Sequence, residues 1–336
     1  MRIIAALCAL SLLVVPGVAQ ADASYWDLKP TGTDARLRGL SAVNAQVAWV
    51  SGSKGTVLRT TDGGRSWKSV GPPDTATLEF RDIQAFDART AVALSIGEGE
   101  ASRIYRTDDG GRTWRESFRN TDPKAFYDCV AFFDHHRGLA LSDPVDGKFR
   151  VLSTRDGGRS WQVNDPKGMP QALEGEFAFA ASGQCVTTAG HHAWIATGGG
   201  AKARVLHSKD TGRTWEAAET PLPSGPAAGV FAVAFRTPWQ GVAIGGDYLK
   251  PDDPTPALAL SRDGRTWQPT KQAPVGYRSG VAFRGSGLVA VGPTGTDVSR
   301  DGQKWTKADA GSFDTVDCPG WTCWAAGEKG RVGRLR

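Results

Sequence analysis

Six short segments of the chain share one pattern, and each ends in tryptophan. They are TTDGGRSW (60–67), TDDGGRTW (107–114), TRDGGRSW (154–161), SKDTGRTW (208–215), SRDGRTW (261–267) and SRDGQKW (299–305). The tryptophans are spaced by 47, 47, 54, 52 and 38 residues. Periods of this size describe a repeat array, and about 40–50 residues suits one four-stranded propeller blade. The motif itself is turn chemistry. Its two glycines permit positive φ, its aspartate and hydroxyls accept nearby backbone N–H groups, and its tryptophan starts an outer strand and buries a large ring between blades. Six copies spread around a ring cannot converge on one substrate. Asp62, Asp109, Asp156, Asp210, Asp263 and Asp301, with Trp67, Trp114, Trp161, Trp215, Trp267 and Trp305, are therefore assigned to structure.

The flanking segments complete the unit. Two short β runs precede each box, as in QVAWVS (46–51) and TVLR (56–59), and another follows it, as in DIQAF (82–86) and VFAVAF (230–235). None shows helical periodicity. The C-terminal CWAAGEKGRVGRLR matches AWVSGSKGTVLRT of the first repeat and stops where a box would begin. The N-terminal SYWDLKP reads as the strand that follows a box. The expected fold is thus all-β: a seven-bladed β-propeller of four-stranded antiparallel blades, closed by the N-terminal strand as the outermost strand of the last blade.

The pattern Ser/Thr-x-Asp-x-Gly-x-Ser/Thr-Trp resembles the Asp-box, or bacterial neuraminidase repeat, found in sialidases, related glycoside hydrolases and the photosystem II assembly and stability factors. Four copies match fully and two are degenerate, and with the closing segments the resemblance covers residues 24–336. It implies the propeller and leaves function open, since such propellers include enzymes and binders. A single propeller of this length most resembles the assembly-factor branch. Sialidases carry a Phe/Tyr-Arg-Ile-Pro motif before the first box. Here the near match Phe235-Arg236-Thr237-Pro238 falls after the fourth box, in a segment the repeat alignment makes a turn.

The chain opens MRIIAALCALSLLVVPGVAQADAS, with Arg2 before an apolar run and Ala19-Gln20-Ala21 as a cleavage signal. Residues 1–21 read as a secretory signal peptide and 22–336 as a single propeller domain, periplasmic or secreted, with no membrane span and monomeric. Export makes disulfides available. Cys318 and Cys323 flank Pro-Gly-Trp-Thr, a turn short enough to join them. Cys129 and Cys185 occupy equivalent positions in neighbouring repeats, so their side chains are expected to point the same way and not to bond. The net charge of +5, one less without Arg2, gives no reason to expect nucleic acid. No nucleotide, hydrolase or metal motif appears, and neither a cofactor nor a metal site is expected. His135-His136 and His191-His192 fall in equivalent turns and read as exposed turn residues.

Alternating strands place the boxes and the turns joining the two inner strands on one face, and the non-repeating loops on the other. Function is expected on the latter. Its departures from the repeat hold Asp143, Asp146, Glu176, Asp247, Tyr248, Tyr277 and Arg278, on blades 3 to 6. Converging carboxylates, tyrosines and an arginine would bind a polar ligand or glycan. The leading reading is a non-enzymatic binding or assembly scaffold for an envelope protein or polar ligand. The alternative is a glycoside hydrolase using paired carboxylates among Asp143, Asp146, Glu176 and Asp247. Arg65, Arg112, Arg159, Arg213 and Arg265 share one box position and would form a broken ring of positive charge on the box face.

Overall fold

The computed structural model describes residues 24–336, so the expected signal segment lies outside the described residues. Seven four-stranded antiparallel sheets follow one another around a ring. Blades 1 to 6 span residues 37–69, 79–119, 127–163, 186–219, 228–269 and 280–309. Blade 7 is built from Thr315–Asp317, Trp324–Ala326 and Val332–Leu335, and its outermost strand is the N-terminal Trp26–Lys29. That strand pairs with Val332–Leu335, Trp26 opposite Leu335, and closes the ring as expected. The three 3-10 turns are three residues each, and no helix among the described residues is long and apolar enough to cross a membrane.

Each box folds as its chemistry requires. In the first, Asp62 Oδ1 accepts from Thr60 Oγ1 (2.8 Å) and Ser66 N (3.0 Å), and Oδ2 accepts from Ser66 Oγ (2.6 Å). Gly63 and Gly64 take φ of 74° and 82°, and in the fourth box Thr211 adopts φ 59° in place of the first glycine. These hydrogen bonds draw Asp62, Asp109, Asp156 and Asp263 down to about 2. The first four boxes also dock on the inner turn of their own blade: Gly63 N donates to Gln46 O, Gly110 N to Arg89 O, Gly157 N to His136 O and Thr211 N to His191 O. Boxes and inner turns therefore share a face.

Tryptophans close the seams between blades. Trp49, Trp194 and Trp324, equivalent residues of three second strands, are fully buried. Each donates its Nε1 to the following blade, to Asp87 O, Gly264 O and Asn44 O respectively. Box residue Trp114 meets Trp49 edge-on and Trp67 meets Trp324. Burying such rings on both sides of a seam stabilises each blade through its neighbours.

Both cysteine pairs are bonded. Cys318–Cys323 agrees with expectation. Cys129–Cys185 does not: their Cα atoms are 6.0 Å apart and the disulfide is formed. Near the axis the innermost strands converge, and this position turns sideways toward the next blade. Cys185 N also donates to Cys129 Sγ, just as Val130 N donates to Asp82 from blade 2.

Candidate functional site

Four innermost strands carry a bulge at one position: between Leu37 and Gly39, Phe80 and Asp82, Tyr127 and Cys129, and Val230 and Ala232. A bulge leaves its extra residue out of the ladder and re-aims the side chain. The residues so placed are Arg38, Arg81, Asp128 and Phe231, and all four line a cavity of about 680 Å³ at the loop-face end of the central channel. Arg36, Asp143, Phe177, Phe179, Tyr248, Tyr277 and Asp314 complete its working surface.

The floor is made by the loop entering blade 4. Residues 177–184 (FAFAASGQ) run into the channel. Asp143 Oδ1 accepts from Ala178 N (2.8 Å), and Arg81 Nη1 donates to Ala180 O (3.0 Å). Phe179 stacks on Phe231 at 3.8 Å, and Thr315 Oγ1 donates to Ser182 O. Gln184 then spans the ring. Its Nε2 donates to Val281 O (2.9 Å) and Val316 O (3.1 Å), and its Oε1 accepts from Val281 N (3.0 Å). A separate, more polar hollow opens on the box side, lined by Ser41, Asp82, Gln184 and Asp317.

The cavity is electrostatically divided. Arg36 clamps Asp314 through Nε (2.8 Å) and Nη2 (2.7 Å) and reaches Glu328 at 3.2 Å. Arg38 has no hydrogen-bond or ion-pair partner among the described residues, and its Nε is buried. Burial, with Arg81 close by, pulls Arg38 down to about 10. On the next blade, burial and then the neighbouring Asp143 hold Asp128 well above the ordinary carboxylate range, and burial pushes Asp143 up to about 7. Asp128 Oδ2 is buried without a partner.

Of the residues expected at a site, Asp143, Tyr248 and Tyr277 reach this cavity. Tyr277 is buried against Phe231, 4.6 Å between rings, while Tyr248 is 47% exposed. The others lie elsewhere. Glu176 is buried and accepts from Arg204 Nε (2.8 Å) and Nη2, Thr197 Oγ1 (2.6 Å) and Leu173 N (2.8 Å). It anchors the loop that forms the floor. Arg278 is buried against Asp297 (Nε–Oδ2 2.7 Å) and also donates to Tyr277 O and Thr294 Oγ1. Asp146 sits in an exposed turn at φ 52°, paired with Lys124 at 2.8 Å. Asp247 caps its own loop, accepting from Leu249 N at 2.9 Å. The four candidate carboxylates thus do not meet across one opening. Of the sialidase-like tetrapeptide, Phe235–Thr237 end an innermost strand instead of forming a turn, and only Pro238 lies in the turn. Two box arginines have acidic neighbours, Arg159 with Asp108 at 3.5 Å and Arg265 with Glu216 at 3.8 Å, so the positive ring is partly neutralised.

The architecture defines a seven-bladed β-propeller with its channel closed by a loop and a charged cavity above the closure. No protein-family model matches the chain, and no curated relative matches it. Among solved structures the chain is similar to YCF48 from Cyanidioschyzon merolae (TM-score 0.66, 16% identity, 93% of this chain and 99% of that one). It is similar as well to YCF48 bound to a D1 peptide (TM-score 0.64, 16% identity, 94% and 98%). The WD40 propeller domain of Doa1 follows at TM-score 0.61 and 12% identity, covering 93% of this chain and 97% of that one. At these identities the likeness is one of fold.

Proposed function

We propose that this chain is an exported, non-enzymatic propeller of the Asp-box class, one domain over 22–336, that holds a segment of a protein partner against its loop face. The observation that carries this reading is the loop-face cavity and its rim. The cavity offers an unpaired arginine and an aromatic wall. Beside it Leu249 and Val275 stand 70% and 64% exposed, next to half-exposed Tyr248. An apolar edge on one side of a polar, concave centre suits a partner better than bulk water. A structural neighbour that binds a D1 peptide adds support for a polypeptide ligand. A hydrolase built on Asp143, Asp146, Glu176 and Asp247 gains nothing from the geometry, because only Asp143 faces the cavity.

The test is capture from the native envelope fraction with purified mature protein. A stoichiometric partner is expected, lost on the double substitution Leu249→Asp, Val275→Asp and retained after charge reversal on the box face. Turnover of a glycoside, abolished by Asp143→Ala, would sink the scaffold reading.

A further inference from the structure

The cavity wall holds two unmet demands of opposite kind. Arg38 Nε lacks an acceptor and Asp128 Oδ2 lacks a donor, both buried. The remaining groups are committed in whole or part: Arg36 to Asp314, Asp143 to Ala178 N, and Arg81 to Ala180 O through Nη1 and to Glu79 through Nε at 3.6 Å, which leaves its Nη2 to face the cavity. Buried polar groups without partners are costly to keep, and a ligand that supplies the missing partners recovers that cost on binding. The bulges fix the order along the wall. Arg38, Arg81 and Asp128 project from successive blades, so a positive arc runs directly into a carboxyl group. Phe179 and Phe231 lie beside it as a stacked pair, with Tyr277 edge-on to Phe231. The loop floor limits the space to about 680 Å³, enough for a small molecule or a chain end but not for a strand passing through.

We propose that this cavity binds an apolar α-amino carboxylate group. Its carboxylate would face Arg38 and Arg81, its nitrogen would donate to Asp128, and its side chain would lie on Phe179 and Phe231. Guanidinium groups suit a carboxylate because their planar donors match its two oxygens. The same chemistry exists in a free hydrophobic amino acid and in the last residue of a protein chain. In the second form the inference rests on the partner reading above; in the first it stands without it.

Isothermal titration with four probes separates the cases: phenylalanine, N-acetylphenylalanine, phenylalaninamide and N-acetylphenylalaninamide. The carboxylate probes are expected to bind roughly tenfold or more tightly than their amides. A preference for phenylalanine assigns the site to the free amino acid, and a preference for N-acetylphenylalanine assigns it to a chain end. Arg38→Gln is expected to erase the carboxylate preference while leaving the melting temperature unchanged or raised, since the arginine has no partner to lose. A residue that only props the wall would lower it. The proposal is overturned if no probe binds, if acid and amide bind alike, or if Arg38→Gln keeps the preference. The comparison of probes on the unaltered protein decides the matter even if that variant does not fold. Because partner capture is tested at Leu249 and Val275, a failure here leaves that reading to stand or fall separately.

Discussion

The box turns and the central channel handle the same residue type in opposite ways. On the box face, aspartates sit in tight turns and collect backbone N–H and hydroxyl donors, which draws Asp62, Asp109, Asp156 and Asp263 down to about 2. In and beside the channel, aspartates are taken out of water with fewer donors. Burial pushes Asp82 up to about 8, Asp143 to about 7 and Asp317 to about 6. The repeat has optimised a carboxylate as a local clamp, six times over. The departures from the repeat have buried Asp128 and Asp143 in the same cavity as an unpaired arginine, and perturbed groups of this kind cluster at functional sites.

The largest expected effect tests whether a loop-face carboxylate can nonetheless be structural. Glu176→Ala leaves Arg204 buried without its main partner, and removing one member of a buried pair costs about 3–5 kcal/mol. Urea unfolding should show this loss. If Glu176 were a ligand group, stability would hold and only binding would fall.

Next comes the pH profile, where the box turns and the channel have opposite signs. Box aspartates have folded values below the ordinary one, so their contribution is present above about 4 and is lost as pH falls toward about 2. Channel aspartates have raised values, so their contribution is present at low pH and is lost as pH rises through about 6 to 8. His207, lowered to about 4 by burial and by His192, opposes them below its ordinary value of 6.5. Between about pH 6.5 and 8 the channel groups act alone, and stability should fall with rising pH. Each group contributes at most about 1.4 kcal/mol per pH unit. Asp82→Asn should flatten that limb in urea titrations at pH 6.5 and 8. Asp62→Asn should leave it as it is, and the comparison fails if the two variants behave alike.

A smaller effect is expected at a single box. Asp156→Ala removes the acceptor for Thr154 Oγ1, Arg159 N, Ser160 N and Ser160 Oγ. The loss resembles that of a helix cap, about 1 kcal/mol in this largely exposed turn. Calorimetry should show one cooperative transition at lower temperature, because tryptophans tie the blade to both neighbours.

The ring of blades was legible from sequence and the cavity largely was not, for a physical reason. Box, strand and tryptophan recur at fixed spacing, so each copy corroborates the others, and the matching ends Trp26–Lys29 and Trp324–Leu335 announce the closure. The cavity is assembled by the ring. Arg36, Arg38 and Arg81 come from blades 1 and 2, whose loops depart least from the repeat. One signal was present. Aligned on Cys129 and Cys185, the preceding column reads Arg38, Arg81, Asp128, Gln184, Phe231, Ser279 and Asp314, varied and mostly polar inside otherwise apolar strands. Glu176 stands in a long loop, and nothing in the sequence pairs it with Arg204, 28 residues away.

The smallest effect should come from the most conspicuous charges. Arg65, Arg112 and Arg213 occupy exposed turns on the box face and form no ion pair among the described residues. Their reversal to glutamate should change stability by no more than about 0.5 kcal/mol. It should also leave capture by the loop face intact, because screening at physiological salt limits such charges to about 8 Å. Loss of capture without unfolding, together with a weaker dependence on salt, would show that the box face docks the partner. The division between a face that builds and a face that binds would then have to be redrawn.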